Sequence, residues 1–377
     1  MKFSCGRAEL VQAATIAARA SAAKSPVPAL EGLLIEATER GRVRITGYDL
    51  KTGIVSETDA RVPESGSVIL NARLFGDIIR RLPGEEVTVS VSASYNTKIE
   101  SGVSSFDIVG SPPADYPALP AAEGQTTLRI EGRILRDMIA RTVFAVSDNE
   151  SRPVYTGALF ETEGKTITAV AVDGFRLALR REELLREAEA VSFIVPGSAL
   201  GEIERILSAG DGDVEIIVGD KHVIFKLDNT LLISRRLEGE FLNYRTSIPQ
   251  NSKYELKVSR RELEQAVERV SLIISDKVKS PVRCVFDDGT LSLLTISAYG
   301  QAHDECAMDG DGEKLEIGFN NRYLLDALKA APADELKICL TTPVTPCVIL
   351  PADGAEENFI YMILPVRLSS NEVRNEN

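Results

Sequence analysis

The side chains most often used in catalysis are few and scattered in this sequence. His222 and His303 are the only histidines, and the five cysteines form neither a disulfide framework nor a C-x-x-C pair. The 56 acidic residues could supply a general acid and a general base, but no His/Cys/Asp cluster, phosphate-binding loop or nucleophile elbow accompanies them. An enzyme therefore stays an alternative without a supporting motif, and we expect no catalytic residue, no metal and no other cofactor.

Charge and hydropathy narrow the class of partner. The net charge of −13 argues against wholesale coating by nucleic acid, although it does not locate the charges. No apolar stretch is long enough to cross a membrane, and the N-terminus lacks the apolar run of a secretory signal. We therefore expect a cytoplasmic protein with reduced thiols and no membrane partner.

One pattern of about 125 residues is written three times. It contains a leucine in a first helix, a proline before an apolar strand and an acidic residue in a second helix. The repeated residues are Leu10, Leu135 and Leu263; Pro28, Pro153 and Pro281; and Asp77, Glu202 and Asp326. The spacings are 125 and 128, 125 and 128, and 125 and 124. Periods of this length indicate duplicated domains, and 377 residues suffice for three.

Within each copy the apolar period changes from helical to alternating and back, which predicts an α+β fold with antiparallel hairpins. In copy three, Leu263, Ala266, Val267 and Val270 form one helical stripe. The predicted strands include 33–37, 43–46, 87–91, 106–109, 158–162, 166–172, 214–218 and 223–227. Polar or small-residue joints near 121–125 and 249–253 give predicted domains 1–122, 123–250 and 251–377, the last with a polar tail at 369–377.

Five motifs carry a family resemblance. They are Thr46-Gly47-Tyr48-Asp49-Leu50, Asn71-Ala72-Arg73, Arg152-Pro153-Val154-Tyr155-Thr156-Gly157, Val172-Asp173-Gly174-Phe175-Arg176-Leu177-Ala178 and Tyr361-Met362-Ile363-Leu364-Pro365-Val366-Arg367-Leu368. In this order and on a threefold repeat, they make the chain resemble the bacterial DNA polymerase III beta subunit, the sliding clamp, over residues 1–368. The resemblance implies a non-catalytic processivity factor. It would be a head-to-tail homodimeric ring of six clamp domains around duplex DNA, with helices lining the hole and antiparallel sheets outside.

The size of a hole lined by helices supports two chains per ring. Six helices about 10 Å apart give a circumference of roughly 60 Å and a bore of only ~10 Å. Twelve helices give a circumference of ~120 Å and a bore of roughly 28 Å. Because a B-form duplex is roughly 20 Å across, one chain could not encircle DNA and two could.

The resemblance also implies three sets of site residues. A pocket would bind peptide motifs of the DNA polymerase III alpha subunit, the clamp loader and other clamp-motif proteins. Its residues are Tyr155, Thr156, Gly157, Val172, Asp173, Gly174, Phe175, Arg176, Leu177, Leu242, Thr246, Ser247, Met362, Leu364, Pro365, Val366, Arg367 and Leu368. The dimer contact would join Phe106 and Ile108 to Leu272 and Ile273, although all four could instead be core residues.

The DNA-facing candidates are polar or basic groups on the inward helices and adjoining loops. They are Lys24, Arg73, Arg80, Arg141, Asn149, Arg152, Arg205, Arg269, Lys277, Lys279 and Arg322. Phosphate contacts need charge and reach but read no base sequence. For each residue the alternative is a solvated helix charge. If these candidates line the hole, the acidic excess would lie on the outside of the ring, in loops such as 304–305 and 309–313. A ring that binds only proteins is the stronger rival function.

Overall fold

The computed structural model describes residues 1–121, 124, 126–207, 212–275, 280–310, 313–352 and 358–368. Each copy begins with a strand and a helix, continues through several strands to a second helix and ends with three strands. Copy one contains β1 (Lys2–Gly6), α1 (Arg7–Ala18), β2 (Gly32–Thr38), β3 (Arg42–Tyr48), β4 (Thr52–Asp59), β5 (Arg61–Glu64), β6 (Gly66–Asn71), α2 (Ala72–Arg81), β7 (Glu86–Val91), β8 (Asn96–Ser101) and β9 (Ser104–Val109).

Copies two and three repeat this order with some strands fused. Copy two contains β10 (Thr126–Glu131), α3 (Gly132–Ala140), β11 (Gly157–Val172), β12 (Arg176–Ala188), β13 (Ser192–Pro196), α4 (Gly197–Ile206), β14 (Asp213–Val218), β15 (His222–Leu227), β16 (Thr230–Arg235) and the single turn α5 (Tyr244–Ser247). Copy three contains β17 (Tyr254–Ser259), α6 (Arg260–Ser271), β18 (Val282–Asp287), β19 (Thr290–Ser297), β20 (Gly300–Asp309), β21 (Leu315–Phe319), α7 (Asn321–Ala330), β22 (Glu335–Leu340), β23 (Cys347–Pro351) and β24 (Phe359–Ile363).

Most of the predicted elements are confirmed, and three details differ. Residues 158–172 form part of one long strand instead of two, with Gly164 at φ 60° between the predicted pieces. Pro28 and Pro153 begin short 3₁₀ turns before their strands, whereas Pro281 directly precedes β18. Asp304 and Glu305, predicted in a loop, lie within β20 because the copy-three hairpin extends through them.

The chain divides into two compact units. The first comprises Met1–Arg136, Leu184–Glu189 and Ser198–Arg236. It contains a five-stranded sheet in the order β5-β1-β7-β8-β9 and an eight-stranded sheet in the order β10-β14-β15-β16-β4-β3-β2-β6. Strands β16 and β4 join copy two to copy one through an antiparallel ladder from Thr230↔Ser56 to Ser234↔Thr52. Copies one and two therefore share one continuous sheet.

Apolar faces of two helices build the core of copy one within this first unit. Leu10 and Ala17 of α1 and Phe75 and Ile79 of α2 are almost fully buried. A Cβ at Gly47 of β3 would lie 2.0 Å from the Ala17 carbonyl oxygen, so only glycine permits this approach of helix and sheet.

The second unit comprises Asp137–Glu183, Ala190–Gly197 and the chain from Leu237 onward. Its sheet has the order β13-β11-β12-β24-β23-β22-β17-β20-β19-β18-β21. The predicted stripe on α6 is confirmed as buried. Asn320 caps α7 by accepting a hydrogen bond from the Arg322 N–H at 2.9 Å, as Asn71 caps α2 in the first unit through the Leu74 N–H at 2.9 Å. The repeated asparagines thus mark the starts of these second helices.

Candidate functional sites

The predicted peptide site is organised by a tight turn between β11 and β12. The Asp173 carboxylate accepts hydrogen bonds from the N–H groups of Phe175, at 2.9 Å, and Arg176, at 3.0 Å. Gly174, between Asp173 and Phe175, has φ 93°, a backbone conformation that residues with a side chain rarely adopt. The turn leaves the Phe175 ring 58% exposed, stacked on Tyr323 with centroids 6.1 Å apart.

Arg176 fastens this turn to the surrounding structure. Its guanidinium contacts Asp173 at 2.9 Å, Asp326 at 2.5 Å and the Phe144 carbonyl oxygen at 2.5 Å. It also lies over the Tyr323 ring, 4.6 Å from the centroid. With only 9% of the residue exposed, Arg176 holds the turn in place and presents little surface to a ligand.

The C-terminal segment is laid beside the turn by main-chain bonds. Leu177 pairs with Met362 in the ladder between β12 and β24. Beyond β24, the Leu364 N–H donates to the Phe175 carbonyl at 2.8 Å, and the Val366 N–H donates to the Gly318 carbonyl at 2.8 Å. The predicted residues 173–177 and 362–366 are therefore brought together.

Burial divides the predicted pocket residues into a floor and a surface. Val172, Leu177 and Met362 belong to a buried apolar cluster, against which Tyr155 packs. Accessible apolar surface comes from Phe175, from Leu242 at 40% exposure and from Val366 at 39%. Gly157 is also buried, Leu364, Pro365 and Leu368 are half-buried, and Arg367 is exposed.

Three polar members of the predicted pocket serve local structure. The Thr156 hydroxyl donates to the Pro153 carbonyl, and the Thr246 and Ser247 hydroxyls donate to the Asn243 carbonyl. The sequence prediction missed Phe241, whose ring meets Tyr155 edge-on at 5.5 Å, and Tyr323. Tyr323 could have been found from the sequence, because it lies in the first turn of the repeated second helix.

The predicted dimer residues lie on β9 and at the end of α6. Strand β9 is the last in its sheet, and its ladder to β8 leaves its other edge open within the described chain. Phe106 is 41% exposed on this strand, and Leu272 is 84% exposed directly after α6. Ile108 and Ile273 are half-buried. Phe106 and Leu272 are thus surface residues in the single chain.

The basic DNA-facing candidates that the structure describes fall into two groups. Arg80, Arg141, Arg205 and Arg269 each pair with a carboxylate, of Asp77, Asp137, Glu202 and Asp304 respectively. The remaining basic candidates that the structure describes are exposed and have no carboxylate partner there: Lys24, Arg73, Arg152 and Arg322. Asn149 is exposed and its side chain accepts the Ser151 N–H. Lys277 and Lys279 lie outside the described residues.

No catalytic arrangement emerges from the reactive side chains in the described ranges. Burial raises the pKa of the Cys5 thiol to about 12 and that of Cys306 to about 11, so both stay protonated at neutral pH. Desolvation lowers the pKa of His222, which begins β15. The described residues contain no group of three or more His, Cys, Asp or Glu arranged to hold a metal ion. Among their helices, none is long and apolar enough to span a membrane.

Three family models together cover most of the chain. The model of the DNA polymerase III beta subunit N-terminal domain matches residues 1–120. The central-domain model matches 129–243, and the C-terminal-domain model matches 245–367.

Individual relatives agree over nearly the full length. The beta sliding clamp of Staphylococcus epidermidis is 32% identical across 97% of this chain and 99% of that protein. The beta sliding clamp of Halalkalibacterium halodurans is 33% identical across 97% and 100%. The crystal structure of the Bacillus subtilis DNA polymerase sliding clamp superposes with a TM-score of 0.94, at 31% identity, over 98% of this chain and 100% of that one. The chain therefore belongs to the DNA polymerase III beta subunit family, the sliding clamps, and is a non-catalytic processivity factor of DNA replication.

Proposed function

We propose that two copies of this chain close head to tail around duplex DNA and tether the replicative polymerase through the site beside Phe175. The observation that carries the proposal is a repeated strand junction. The last strand of copy two, β16, pairs with β4 of copy one, and the last strand of copy three, β24, pairs with β12 of copy two. By the same rule, the last strand of copy one, β9, would pair with β20 of another chain.

Both edges needed for this third junction are open. In the described chain, β9 pairs only with β8, and residues 300–307 of β20 pair only with β19. Unpaired edges carry free N–H and C=O groups that favour pairing with another strand. A head-to-tail pairing that repeats around a closed rotation makes a ring.

The internal junctions also give the register. The bridges Ile69↔Ser111, Ile194↔Leu237 and Gly318↔Val366 align the ends of the three copies. With Ser234↔Thr52 and Arg176↔Ile363 as templates, the expected contacts between chains are Ile108↔Gly300, Phe106↔Ala302 and Ser104↔Asp304. At the position of Phe106 the other copies carry Leu232 and Tyr361, both buried in their junctions. Burial of Phe106 in the contact between two chains would give all three copies a buried apolar residue at this position.

DNA contact is assigned to the four DNA-facing candidates that are exposed and have no carboxylate partner in the described chain, Lys24, Arg73, Arg152 and Arg322. Such groups release counterions from phosphates and do not read bases, which suits a ring that slides. Lys279, which lies outside the described residues, is assigned the same role because it precedes Pro281 in the repeated sequence, as Lys24 and Arg152 precede Pro28 and Pro153. No cofactor is required for this function.

Partner binding is assigned to the apolar surface of Phe175, Leu242 and Val366 above the buried Met362 cluster. Peptide motifs of the DNA polymerase III alpha subunit, the clamp loader and other clamp-motif proteins would place apolar side chains there. Burying one leucine or phenylalanine contributes roughly 1.5–3 kcal/mol. We further propose the domain limits 1–122, 123–250 and 251–377, supported by the limits of the family models, and a cytoplasmic location.

Retention on DNA of different topology tests the function. After loading, the protein should stay on nicked circular DNA and leave linear DNA through its ends. Equal lifetimes on the two substrates would contradict encirclement. A ring that binds only proteins would be retained on neither.

A further inference from the structure

A polar cleft of about 250 Å³ opens in the first compact unit, where β4 and β16 meet α1. Gln12 of α1, Ser56 and Thr58 of β4, and Asn229 before β16 line it. The lining also includes four carboxylates, from Glu9, Glu57, Asp213 and Asp228, and no basic side chain. The cleft is therefore suited to a cation.

The second unit contains the same junction between β12, β24 and the end of α3 that begins at Asp137. The main-chain bond from the Glu57 N–H to the Asn229 carbonyl, 2.9 Å, recurs from the Arg181 N–H to the Asn358 carbonyl, 2.7 Å. Ser56 pairs with Thr230 in one ladder, and Arg180 pairs with Phe359 in the other. By this register, Arg180 occupies the place of Ser56.

The Arg180 guanidinium fills the equivalent space. It donates to Asp137 at 2.8 Å, to Glu182 at 2.7 Å and to Asn358 at 3.2 Å, and the residue is only 6% exposed. Its three partners hold the positions of Gln12, Thr58 and Asn229 in the repeat. The positions around the open cleft are therefore those that surround a guanidinium in the neighbouring copy, with the neutral Gln12 and Thr58 in place of the carboxylates Asp137 and Glu182.

Copy one has Ser56 where copy two has Arg180, so it lacks this guanidinium. The Ser56 hydroxyl has only a 3.4 Å contact with the Thr230 hydroxyl. Thr58 is 7% exposed, and its hydroxyl has no hydrogen-bond partner in the part of the chain that is described. Arg42 contacts Glu57 at 2.9 Å and Asn229 at 3.3 Å but makes no described hydrogen bond to Ser56, Thr58 or Gln12. The Thr58 hydroxyl therefore lines the cleft as an accessible acceptor.

We propose that this cleft binds a guanidinium group supplied from outside the chain, namely the arginine side chain of a partner protein. The planar guanidinium can donate to several oxygens at once, as Arg180 does. None of Phe175, Leu242 and Val366 lines the cleft, so the proposal does not depend on the peptide site.

Methyl NMR of the full-length protein tests the site, with Ile16 and Val214 in the cleft wall as probes. The ligands are acetyl-Gly-Arg-Gly-amide, its isosteric citrulline counterpart and free arginine amide. We expect saturable shifts of both methyls with the arginine peptide and at least tenfold weaker binding of the citrulline peptide. Tenfold tighter binding of the peptide than of arginine amide would assign the source to a partner protein, whereas equal binding would overturn that assignment in favour of a small molecule.

Three substitutions make the test specific. Ser56→Arg should fill the cleft and weaken the arginine peptide at least tenfold, whereas Ser94→Arg, on the exposed β7–β8 turn, should change it less than twofold. Thr58→Val keeps the side-chain shape and should weaken binding about three- to tenfold, which decides the question if Ser56→Arg does not fold. Equal shifts with the arginine and citrulline peptides, or unchanged binding in folded Ser56→Arg, would overturn the proposal.

Discussion

The ring of Phe144 packs edge-on against the ring of Tyr361, with centroids 5.4 Å apart and an interplanar angle of 79°. Phe144 follows the first helix of copy two, and Tyr361 lies on the last strand of copy three. The repeat spacing of 128 places Leu272 at the position of Phe144, and the aligned strand ends place Phe106 at the position of Tyr361. This internal contact is therefore the template for a contact between Leu272 of one chain and Phe106 of another.

Replacing Leu272 and Ile273 with Ala should shift the protein from dimer toward monomer. Each large apolar side chain removed from a buried contact costs roughly 1.5–3 kcal/mol of binding free energy. We therefore expect the dimer dissociation constant to rise at least about tenfold for each interface. Sedimentation velocity across the micromolar range measures this. Val103→Ala is the matched control, because Val103 is fully exposed and outside the expected ladder. A parent protein that sediments only as monomer would contradict the assembly.

Replacing Phe175 and Val366 with Ala should weaken clamp-motif peptides by about tenfold or more while the dimer remains. Both side chains are exposed, at 58% and 39%, so their loss removes contact surface at little cost to the fold. Isothermal titration calorimetry gives the affinity, and sedimentation checks the dimer. Unchanged affinity in the folded variant would refute the assignment of this surface.

Met362→Ala should behave differently, because Met362 is only 7% exposed within an apolar cluster. Truncating a buried methionine typically costs about 2–5 kcal/mol in the free energy of unfolding. Urea unfolding should therefore show a lower midpoint in Met362→Ala than in Phe175→Ala. Equal midpoints would mean that Met362 lies at an accessible wall of the pocket.

Charge reversal of Lys24, Arg152 and Lys279 to Glu should shorten retention on nicked circular DNA, with effects that accumulate. The three residues precede the repeated prolines Pro28, Pro153 and Pro281 in the sequence, and phosphate contacts are strongly salt-dependent. Lifetimes at two salt concentrations measure the effect, and peptide affinity should hardly change. Arg129→Glu, which replaces a residue paired with Glu215 on a strand, is the control. A wild-type lifetime in the triple variant would place these residues on the solvated exterior.

Alkaline pH should destabilise the fold through buried tyrosines. Burial, with a further contribution from Glu161, raises the pKa of Tyr244 to about 12, and burial also raises the pKa values of Tyr116 and Tyr361. An unfolded tyrosine has a pKa of about 10. The neutral tyrosines therefore stabilise the fold fully below pH ~10, and this stabilisation is lost as the pH rises toward 12.

Urea unfolding between pH 9 and 11.5 checks this expectation. Tyr244→Phe should reduce the dependence of the unfolding free energy on pH. The same variant loses the 2.7 Å hydrogen bond to Glu161 and should lose about 1 kcal/mol at neutral pH. The same pH slope in parent and variant would show that Tyr244 does not contribute.

The sequence by itself determined the threefold repeat, the α+β class, the helix stripes and the family. The repeat, the class and the stripes follow from local spacing, because a helix or strand needs its apolar residues at a fixed period, whereas the family follows from the resemblance of five motifs. Leu10, Leu135 and Leu263 are all almost fully buried for this reason. The motif around Asp173 supplied residues 172–177 of the predicted peptide pocket through the family resemblance.

Only the tertiary structure decided which members of each motif are accessible and which cations are already paired. Met362 and Val366 are four residues apart, yet one is buried and the other exposed, because the chain leaves β24 between them. Arg269 and Arg322 are both helical arginines, but β20 places Asp304 beside Arg269, whereas Arg322 has no carboxylate partner in the described chain. The contrast between Arg180 and Ser56 also needed the paired strands, because burial and charge pairing depend on neighbours that are distant in sequence.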